Sequence, residues 1–165
     1  MPAPSPRIAF APLTENNLGT VRKLNSVLFP IKYSEKFYQS IQSPELEDFC
    51  KLVYYNDVPV GTVCCRIETE GDDTSLYIMT MGVLAPYRSR GVGSKSLQSV
   101  LDAAKAHTKP KISKIFLHVQ VNNEDARRFY EKHGFTETGL QKDYYKKIEP
   151  HDAWILTREV DASAS

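Results

Sequence analysis

The segment from Val83 to Leu101 reads VLAPYRSRGVGSKSLQSVL and combines a strand-like start, a turn rich in arginine and glycine, and a helix-patterned end. Unpaired backbone N–H groups converge at the N-terminus of a helix, and the helix dipole favours negative charge there. Gly91 and Gly93 let a ligand approach the backbone closely, while Arg88 and Arg90 add positive charge. The segment therefore predicts a site for an anionic group such as a phosphate.

Established phosphate-binding motifs fit this turn poorly. A P-loop requires Lys and then Ser or Thr after its last glycine, whereas Gly93 is followed by Ser94 and Lys95. A dinucleotide fingerprint requires a third glycine where Ser96 stands. A tight turn whose glycines serve backbone geometry alone is the alternative, and the turn by itself leaves both interpretations open.

Two side chains that can exchange protons lie on predicted neighbouring strands. Tyr77 in LYIMT shares a strand face with Met79, and His118 in FLHVQ shares one with Phe116. Tyrosine and histidine in a strand are more often packed side chains than catalytic groups, since both are of intermediate burial. The residues alone therefore leave the two roles open.

The elements that position these residues follow from the hydrophobic periodicity. Thr14 is predicted to cap a first helix that breaks at Phe29-Pro30, and Ser34 is predicted to cap a second, short helix. The runs KLVYY and VGTVCCRIE flank a turn at Asn56-Asp57 and indicate a β-hairpin, and SLYIMTMGV is predicted as a third strand.

The second half of the chain alternates strands and helices. The helix after the glycine turn is predicted to end at Pro110, and the strand KIFLHVQV follows it. Asn123 and Gly134 are predicted to bound another helix, and short strands around Phe135 and Trp154 complete the chain. The order predicts a single α/β domain with a mixed sheet.

Composition excludes several classes of protein. The chain has 165 residues, 25% of them charged, and a formal net charge of +1, which excludes a strongly basic nucleic-acid-binding domain. No apolar stretch approaches the ~20 residues of a membrane span. The start MPAPSPR lacks the pattern of a secretion signal. We therefore expect no direct nucleic-acid binding, no membrane association and no secretion.

The three cysteines, Cys50, Cys64 and Cys65, have neither the even count of a disulfide framework nor the spacing of a zinc site. Reduced, buried thiols are the expected state. The spacing of His107, His133 and His151 indicates no metal site, and these residues are predicted to lie on the surface.

The segment RSRGVG, residues 88–93, resembles the Q/R-x-x-G-x-G/A motif of the GNAT acetyltransferases, and ARRFYEKHGF, residues 126–135, resembles the helix and Gly-Phe that follow in that family. The resemblance implies a single-domain GNAT fold with a mixed, mostly antiparallel sheet and about four helices. The domain is expected to span residues 7–159. The Pro-rich start, residues 1–6, and the tail, residues 160–165, are predicted from their composition to be disordered. The implied co-substrate is acetyl-CoA, with no metal.

A closer likeness is to the catalytic subunits of NatE-type N-terminal acetyltransferases. It rests on the segments FPIKY, LYIMT, FLHVQ and DYYKKIEP and covers roughly Arg7 to Thr157. Such an enzyme faces a modest deprotonation step, because an α-amine titrates near 7.7–8.0 against ~10.4 for lysine. One weak base acting through water suffices for that step.

The resemblance assigns roles to particular residues. Tyr77 and His118 are implied to hold a water that takes the amine proton. The residues implied to bind the co-substrate are Met81, Val83, Arg88, Ser89, Arg90, Gly91, Val92, Gly93, Ser94, Asn123 and Tyr130. The residues implied to bind the peptide are Phe29, Pro30, Ile31, Tyr33, Met79, Tyr144, Tyr145 and Ile148. For Tyr130, protonation of the leaving thiolate and simple core packing both stay open.

The implied substrate is the N-terminus of a nascent protein that begins with Met followed by a hydrophobic or small residue. The NatA complex at the ribosome is a candidate partner, and the cytoplasm is the expected location, with the nucleus as a second one. Two alternatives stay open: a GNAT enzyme for lysine or a small amine, and a catalytically weak GNAT subunit that serves as a scaffold in a ribosome-associated complex.

Overall fold

A computed structural model of the chain describes residues 5–160, in which seven strands and four α-helices form. The strands are β1 (Ile8–Pro12), β2 (Lys51–Tyr55), β3 (Val58–Glu70), β4 (Asp73–Val83), β5 (Lys114–Gln120), β6 (Thr136–Gln141) and β7 (Ala153–Glu159). The helices are α1 (Leu18–Leu28), α2 (Glu35–Ser40), α3 (Val92–Ala106) and α4 (Glu124–Lys132). Of the predicted disordered ends, residues 1–4 and 161–165 lie outside the described residues.

The strands form one sheet in the order β1-β2-β3-β4-β5-β7-β6. The pair β4–β5 is parallel, and the pairs β1–β2, β2–β3, β5–β7 and β6–β7 are antiparallel. The sheet is therefore mixed, as the order of elements predicts, and mostly antiparallel, as the GNAT resemblance implies. Two compact units divide the described chain, one of residues 5–66 and 80–103 and the other of residues 67–79 and 104–160. The predicted domain limits at residues 7 and 159 stay a prediction.

In the first unit, the predicted hairpin turn is confirmed. Asn56 and Asp57 both adopt positive φ, +47° and +68°, and Tyr55 pairs directly with Val58 across the turn. Two consecutive left-handed residues give the type I′ geometry whose twist suits a two-residue hairpin, and Asn and Asp tolerate it. The two strands of this hairpin then place Leu52 and other apolar side chains in the buried core.

In the first unit, one local prediction is wrong and one strand has no counterpart in the predictions. Asn17, not Thr14, is the N-cap of α1, because residues 14–17 form a turn in which the Thr14 N–H donates to Asn17 Oδ1 (2.8 Å). The strand β1 was not predicted, since its position at the sheet edge depends on pairing with β2 and its last residue is Pro12. The predicted cap Ser34 is confirmed, because its hydroxyl accepts from the Phe37 N–H at 3.2 Å.

The second unit is organised around β5, which pairs with β4 on one side and β7 on the other. Its residues alternate between buried and half-buried from Ile115 to Gln120, so one face lies in the core and the other is more open. The predicted caps of α4 are confirmed: Asn123 accepts from the Ala126 N–H at 3.2 Å, and Gly134 has φ +85°. The helix α3, in contrast, ends at Ala106, before the predicted Pro110.

The predicted state of the cysteines is confirmed: Cys50, Cys64 and Cys65 are free and buried. Burial disfavours the thiolate, which raises the pKa of Cys50 to about 11 and that of Cys64 to about 12. The pKa of Cys65 is raised for the same reason. All three therefore stay protonated, which makes them poor nucleophiles.

Because the pKa values of these thiols are raised by burial, we predict that the free energy of unfolding decreases at alkaline pH. In the unfolded chain these thiols ionise near their ordinary pKa, about 8.5, whereas in the folded chain they ionise only at higher pH. Their contribution to the free energy of unfolding is therefore fully present below about pH 8.5 and is lost as the pH rises above it. One thiol can contribute about 1.4 kcal/mol per pH unit to that slope. Replacing Cys50 with Ala should reduce the fall in the free energy of unfolding between pH 8 and pH 10.5, measured by urea denaturation. An unchanged slope would contradict the burial of this thiol.

Candidate active site

The pairing of β4 with β5 brings Tyr77 and His118 together. The register places Tyr77 opposite Phe116, and His118 lies two residues further along the same face of β5. The rings of Tyr77 and Phe116 stack with centroids 4.7 Å apart and planes 8° apart. The hydroxyl of Tyr77 then reaches diagonally to His118, with Tyr77 Oη 2.8 Å from Nδ1. The prediction that the two residues lie on neighbouring strands is confirmed.

A third side chain joins this pair from the loop between β6 and β7. The ring of Tyr144 stacks on the His118 ring, with centroids 4.0 Å apart and planes 10° apart, and Tyr144 Oη lies 2.5 Å from Tyr77 Oη. Tyr77 is thus hydrogen-bonded to both residues. The resemblance assigns Tyr144 to peptide binding only, and no local pattern predicts this contact, because 67 positions separate the two tyrosines.

The loop of residues 142–152 holds Tyr144 by hydrogen bonds on each side of it. The Asp143 N–H donates to Asp152 Oδ1 at 2.9 Å, and the Tyr145 N–H donates to the His151 carbonyl at 2.8 Å. Gln120 Nε2 donates to the Pro150 carbonyl at 2.9 Å and ties the loop to the end of β5. These hydrogen bonds fix the backbone of the loop on both sides of Tyr144.

Tyr145 and Ile148, two other predicted peptide-binding residues, are half-buried in the same loop. Tyr145 meets the edge of Tyr144 at 4.8 Å between centroids, and burial, with a smaller effect of Tyr144, raises the pKa of Tyr145 to about 12. Its phenol therefore stays neutral at physiological pH. The predicted surface position of three histidines is only partly right: His107, His133 and His151 are half-buried, and Nδ1 of each bonds a backbone carbonyl.

In the first unit, the glycine turn has the geometry of an anion site. Gly91 has φ +81° and Ser89 has φ +62°, and the Lys95 N–H donates to the Gly91 carbonyl at 3.0 Å as the first turn of α3 begins. The N–H groups of this first turn have no intrahelical acceptor and point out of the helix. Arg88 and Arg90 are exposed, and Nε of each donates to a nearby backbone carbonyl.

The other predicted residues of this segment differ in exposure. Val92 is 1% exposed and packs inward, whereas Ser94 is exposed and Gly93 is half-buried. Every second residue at the end of β4 lies on the same face of the strand; these residues, Met79, Met81 and Val83, are half-buried.

The predicted peptide-binding segment after α1 is an aromatic turn in the first unit. Tyr33 meets the edge of Phe29 at 6.3 Å and stacks on Phe37 at 4.5 Å between centroids. A Cβ at Gly82 would lie 2.9 Å from Cζ of Phe29, so glycine lets this ring approach the end of β4. Pro30 and Ile31 are exposed at the tip of the turn.

The two remaining predicted co-substrate residues lie in the second unit. Tyr130 is 8% exposed, and its ring meets the edges of Phe129 at 5.1 Å and Phe135 at 5.5 Å. Asn123 is exposed and caps α4 through its side-chain oxygen. The packing of Tyr130 is therefore established by the structure, and its chemical role stays a prediction.

Among residues 5–160, no group of three or more His, Cys, Asp or Glu side chains is arranged to hold a metal ion. Within the same described range, no helix combines the length and the apolar character needed to cross a membrane.

Comparison with known families and structures identifies the family. The family model described as "Acetyltransferase (GNAT) family" matches residues 18–135. The chain belongs to the GNAT acetyltransferase family. This GNAT chain is 42% identical to N-alpha-acetyltransferase 50 of Danio rerio over 93% of its length and 89% of the relative. It is 41% identical to the probable N-acetyltransferase san of Drosophila melanogaster, over 95% of its length and 83% of the relative.

A solved structure gives the same result. Arabidopsis thaliana Naa50, in complex with the bisubstrate analogue CoA-Ac-MVNAL, superposes with a TM-score of 0.83 at 43% identity and covers 92% of this chain and 97% of that chain. The predicted GNAT fold and the predicted N-alpha-acetyltransferase class are thereby confirmed.

The anchored loop around Tyr144 generates a prediction. Replacing Asp152 with Ala removes the acceptor of the Asp143 N–H, and Asp143 itself adopts the costly positive φ of +54°. Backbone amides of residues 143–151 should then exchange with deuterium at least tenfold faster, with no change in α4, as measured by mass spectrometry. The exposed Lys147→Ala variant, in the same loop, is the control. Equal exchange in all three proteins would show that Asp152 does not order the loop.

Proposed function

We propose that this GNAT enzyme transfers the acetyl group of acetyl-CoA to the α-amine of protein N-termini that begin with Met followed by a hydrophobic or small residue. The observation that carries the proposal is the hydrogen-bonded pair of Tyr77 and His118, with 2.8 Å between Tyr77 Oη and Nδ1. The bisubstrate analogue bound by the Arabidopsis relative joins CoA to a peptide that begins Met-Val, which supports both the donor and the substrate.

The glycine turn fits the pyrophosphate of acetyl-CoA. At Gly91 a Cβ would meet no described atom within 4 Å, so there is open space beside a backbone with positive φ. Two exposed arginines, Arg88 and Arg90, and the N-terminus of α3 provide positive potential in the same turn. We assign the predicted residues of this segment, Ser89, Val92, Gly93 and Ser94 included, to binding of the co-substrate. Asn123 keeps its predicted contact with the co-substrate.

Deprotonation of the substrate amine is assigned to His118 acting through Tyr77. An α-amine titrates near 7.7–8.0, so only part of it is neutral at pH 7 and a weak base is sufficient. His118 neutral at Nδ1 can receive a proton from the Tyr77 hydroxyl, which in turn receives one from a water held between this pair and the amine. The neutral amine then attacks the thioester carbonyl.

Two further steps are assigned to other residues of the chain. A backbone N–H between Met81 and Val83 is the proposed donor to the oxyanion, because a preplaced donor stabilises the charge that develops during attack. Tyr130 is the proposed acid for the leaving thiolate. Its ring packs against Phe129 and Phe135, which holds the side chain in one position.

Peptide recognition is assigned to the aromatic turn after α1, to the loop of residues 142–152 and to one residue of β4. The first contributes Phe29, Pro30, Ile31 and Tyr33; the second contributes Tyr144, Tyr145 and Ile148; and β4 contributes Met79. These side chains are aromatic, aliphatic or thioether groups, which suit an initiator methionine and provide no carboxylate for a lysine side chain.

The remaining proposals rest on the resemblance to NatE-type enzymes. The substrates are proposed to be nascent proteins, with the NatA complex at the ribosome as the partner. The proposed location is the cytoplasm, with the nucleus as a second one.

Two matched peptides test the activity. One has a free Met-Leu N-terminus and no lysine, and the other has a blocked N-terminus and an internal lysine. We expect release of CoA from acetyl-CoA with the first peptide alone. Release with the second alone would indicate a lysine acetyltransferase. Release with neither, while acetyl-CoA still binds in calorimetry, would indicate a small-amine enzyme or a scaffold subunit.

Substitutions test the base. His118→Ala or Tyr77→Phe should lower turnover of the Met-Leu peptide at least tenfold while acetyl-CoA binding is retained, since general-base assistance is worth at least that factor. Tyr54→Phe, on the half-buried strand β2, is the matched control and should leave turnover unchanged. Full turnover in a folded His118→Ala protein would refute the assignment.

A further inference from the structure

The last turn of α1 carries a buried amide, Asn25, just before the aromatic turn of residues 29–33. Asn25 is 1% exposed, and its backbone carbonyl accepts from the Phe29 N–H at 3.0 Å, which closes the end of the helix. We propose that Asn25 is a positioning residue for peptide recognition, because its side chain sets the place of Phe29 and thereby the shape of the pocket for the initiator methionine. This inference rests on the proposed function, which assigns Phe29 to the peptide.

The side chain of Asn25 joins α1 to the sheet and to α2. Thr62 Oγ1 on β3 donates to Asn25 Oδ1 at 2.7 Å, and Asn25 Nδ2 donates to Tyr38 Oη on α2 at 3.4 Å. Both partners are buried. Either orientation of the amide keeps both hydrogen bonds, because each partner is a hydroxyl that can donate or accept. One side chain therefore links the helix before the aromatic turn to the helix after it and to the sheet.

The contact with β3 lies beside the place where the ring of Phe29 packs. Gly61, the neighbour of Thr62, approaches β4 so closely that a Cβ there would lie 2.6 Å from the carbonyl oxygen of Gly82. A Cβ at Gly82 would in turn lie 2.9 Å from Cζ of Phe29. The end of α1 thus meets the sheet at two adjacent points, through a hydrogen bond at Thr62 and through the ring of Phe29 at Gly82. Fixing the first point fixes how far the ring reaches over the end of β4.

A polar residue at position 25 provides what apolar packing cannot. The buried residues Val21 and Leu24 already supply the apolar face of α1, and the attraction between apolar surfaces has no preferred direction, so it tolerates small shifts of a helix over a sheet. A hydrogen bond between buried groups weakens steeply when its distance or angle changes, and an unbonded buried amide is costly. The amide of Asn25 therefore contributes a fixed position of α1 rather than additional buried apolar area.

Two single variants and their combination separate positioning from stability. Asn25→Leu leaves the Thr62 hydroxyl buried without its acceptor, and Thr62→Val leaves the amide oxygen without its donor, so each should lower the Tm. The double variant removes both polar groups, and its Tm should recover most of that loss, because replacing both partners of a buried hydrogen bond by apolar groups is nearly neutral. Its hydrogen bond between α1 and β3, however, stays absent.

Kinetics of the double variant test the proposal. We expect the KM for the Met-Leu peptide to stay about fivefold or more above that of the unmodified enzyme, with kcat and the KM for acetyl-CoA unchanged within about twofold, because the loss falls on peptide binding. Ser26→Ala, exposed on the same helix, is the control and should leave all three constants unchanged. A peptide KM that recovers together with the Tm would mean that Asn25 only stabilises the fold, and a fall in kcat at unchanged KM would place its effect in the chemical step; either result would overturn the proposal.

Hydrogen exchange provides a measurement that needs no substrate. In the double variant, the backbone amides of residues 29–34 should exchange with deuterium about threefold faster or more than in the unmodified protein, with no change in α3, because the end of α1 opens more easily without its anchor. Unchanged exchange would refute the anchoring role of Asn25 whatever the activity. If the unmodified protein releases no CoA with the Met-Leu peptide, the proposed function and the recognition role are both wrong, whereas faster exchange in the variant would still show that Asn25 holds the aromatic turn.

Discussion

The parallel pairing of β4 with β5 is the constraint on which the candidate active site depends. Residues along one face of a strand recur every second position, so once Tyr77 lies opposite Phe116, His118 can only be its diagonal neighbour on the same face. The stacking of Tyr77 on Phe116 fixes the direction in which the phenol extends. A shift of one residue in this register would turn His118 into the core and separate the pair.

A polar pair of this kind needs partners on every side. Tyr77 is buried, and an unbonded buried hydroxyl is costly, so its bonds to His118 and Tyr144 stabilise the same arrangement that serves the chemistry. The loop that supplies Tyr144 has few apolar residues in the core. Its order comes instead from hydrogen bonds to Asp152, His151 and Gln120. Function and local stability are thus coupled in the second unit.

The two candidate binding segments of the first unit depend on different parts of the chain. Its glycine turn uses backbone N–H groups and a helix terminus, which need conformational freedom at Gly91 rather than any particular side chain. Its aromatic turn instead depends on side chains, held by stacking of Tyr33 on Phe37 and by the space above Gly82. A bidentate ion pair joins Arg22 of α1 to Glu35 of α2, on either side of this turn. Arg22 Nη1 donates to Glu35 Oε1 at 2.8 Å, and Nη2 donates to Oε2 at 2.6 Å. Recognition on loops carried by regular elements is the usual arrangement in enzymes.

The sequence by itself determined the features that depend on neighbours along the chain. Local signals in the sequence are the caps at Ser34 and Asn123, the turn at Asn56-Asp57, the alternation of β5 and the buried cysteines. The glycine turn and the helix after it provide the motif that resembles the GNAT family. Tertiary structure decided what depends on distant partners. The edge strand β1 exists through its pairing with β2, the turn before α1 closes on Asn17 rather than Thr14, and Tyr144 meets a tyrosine 67 positions away. Periodicity shows which face of an element a residue occupies, but the contact between two elements is set by packing and register, which no local pattern contains.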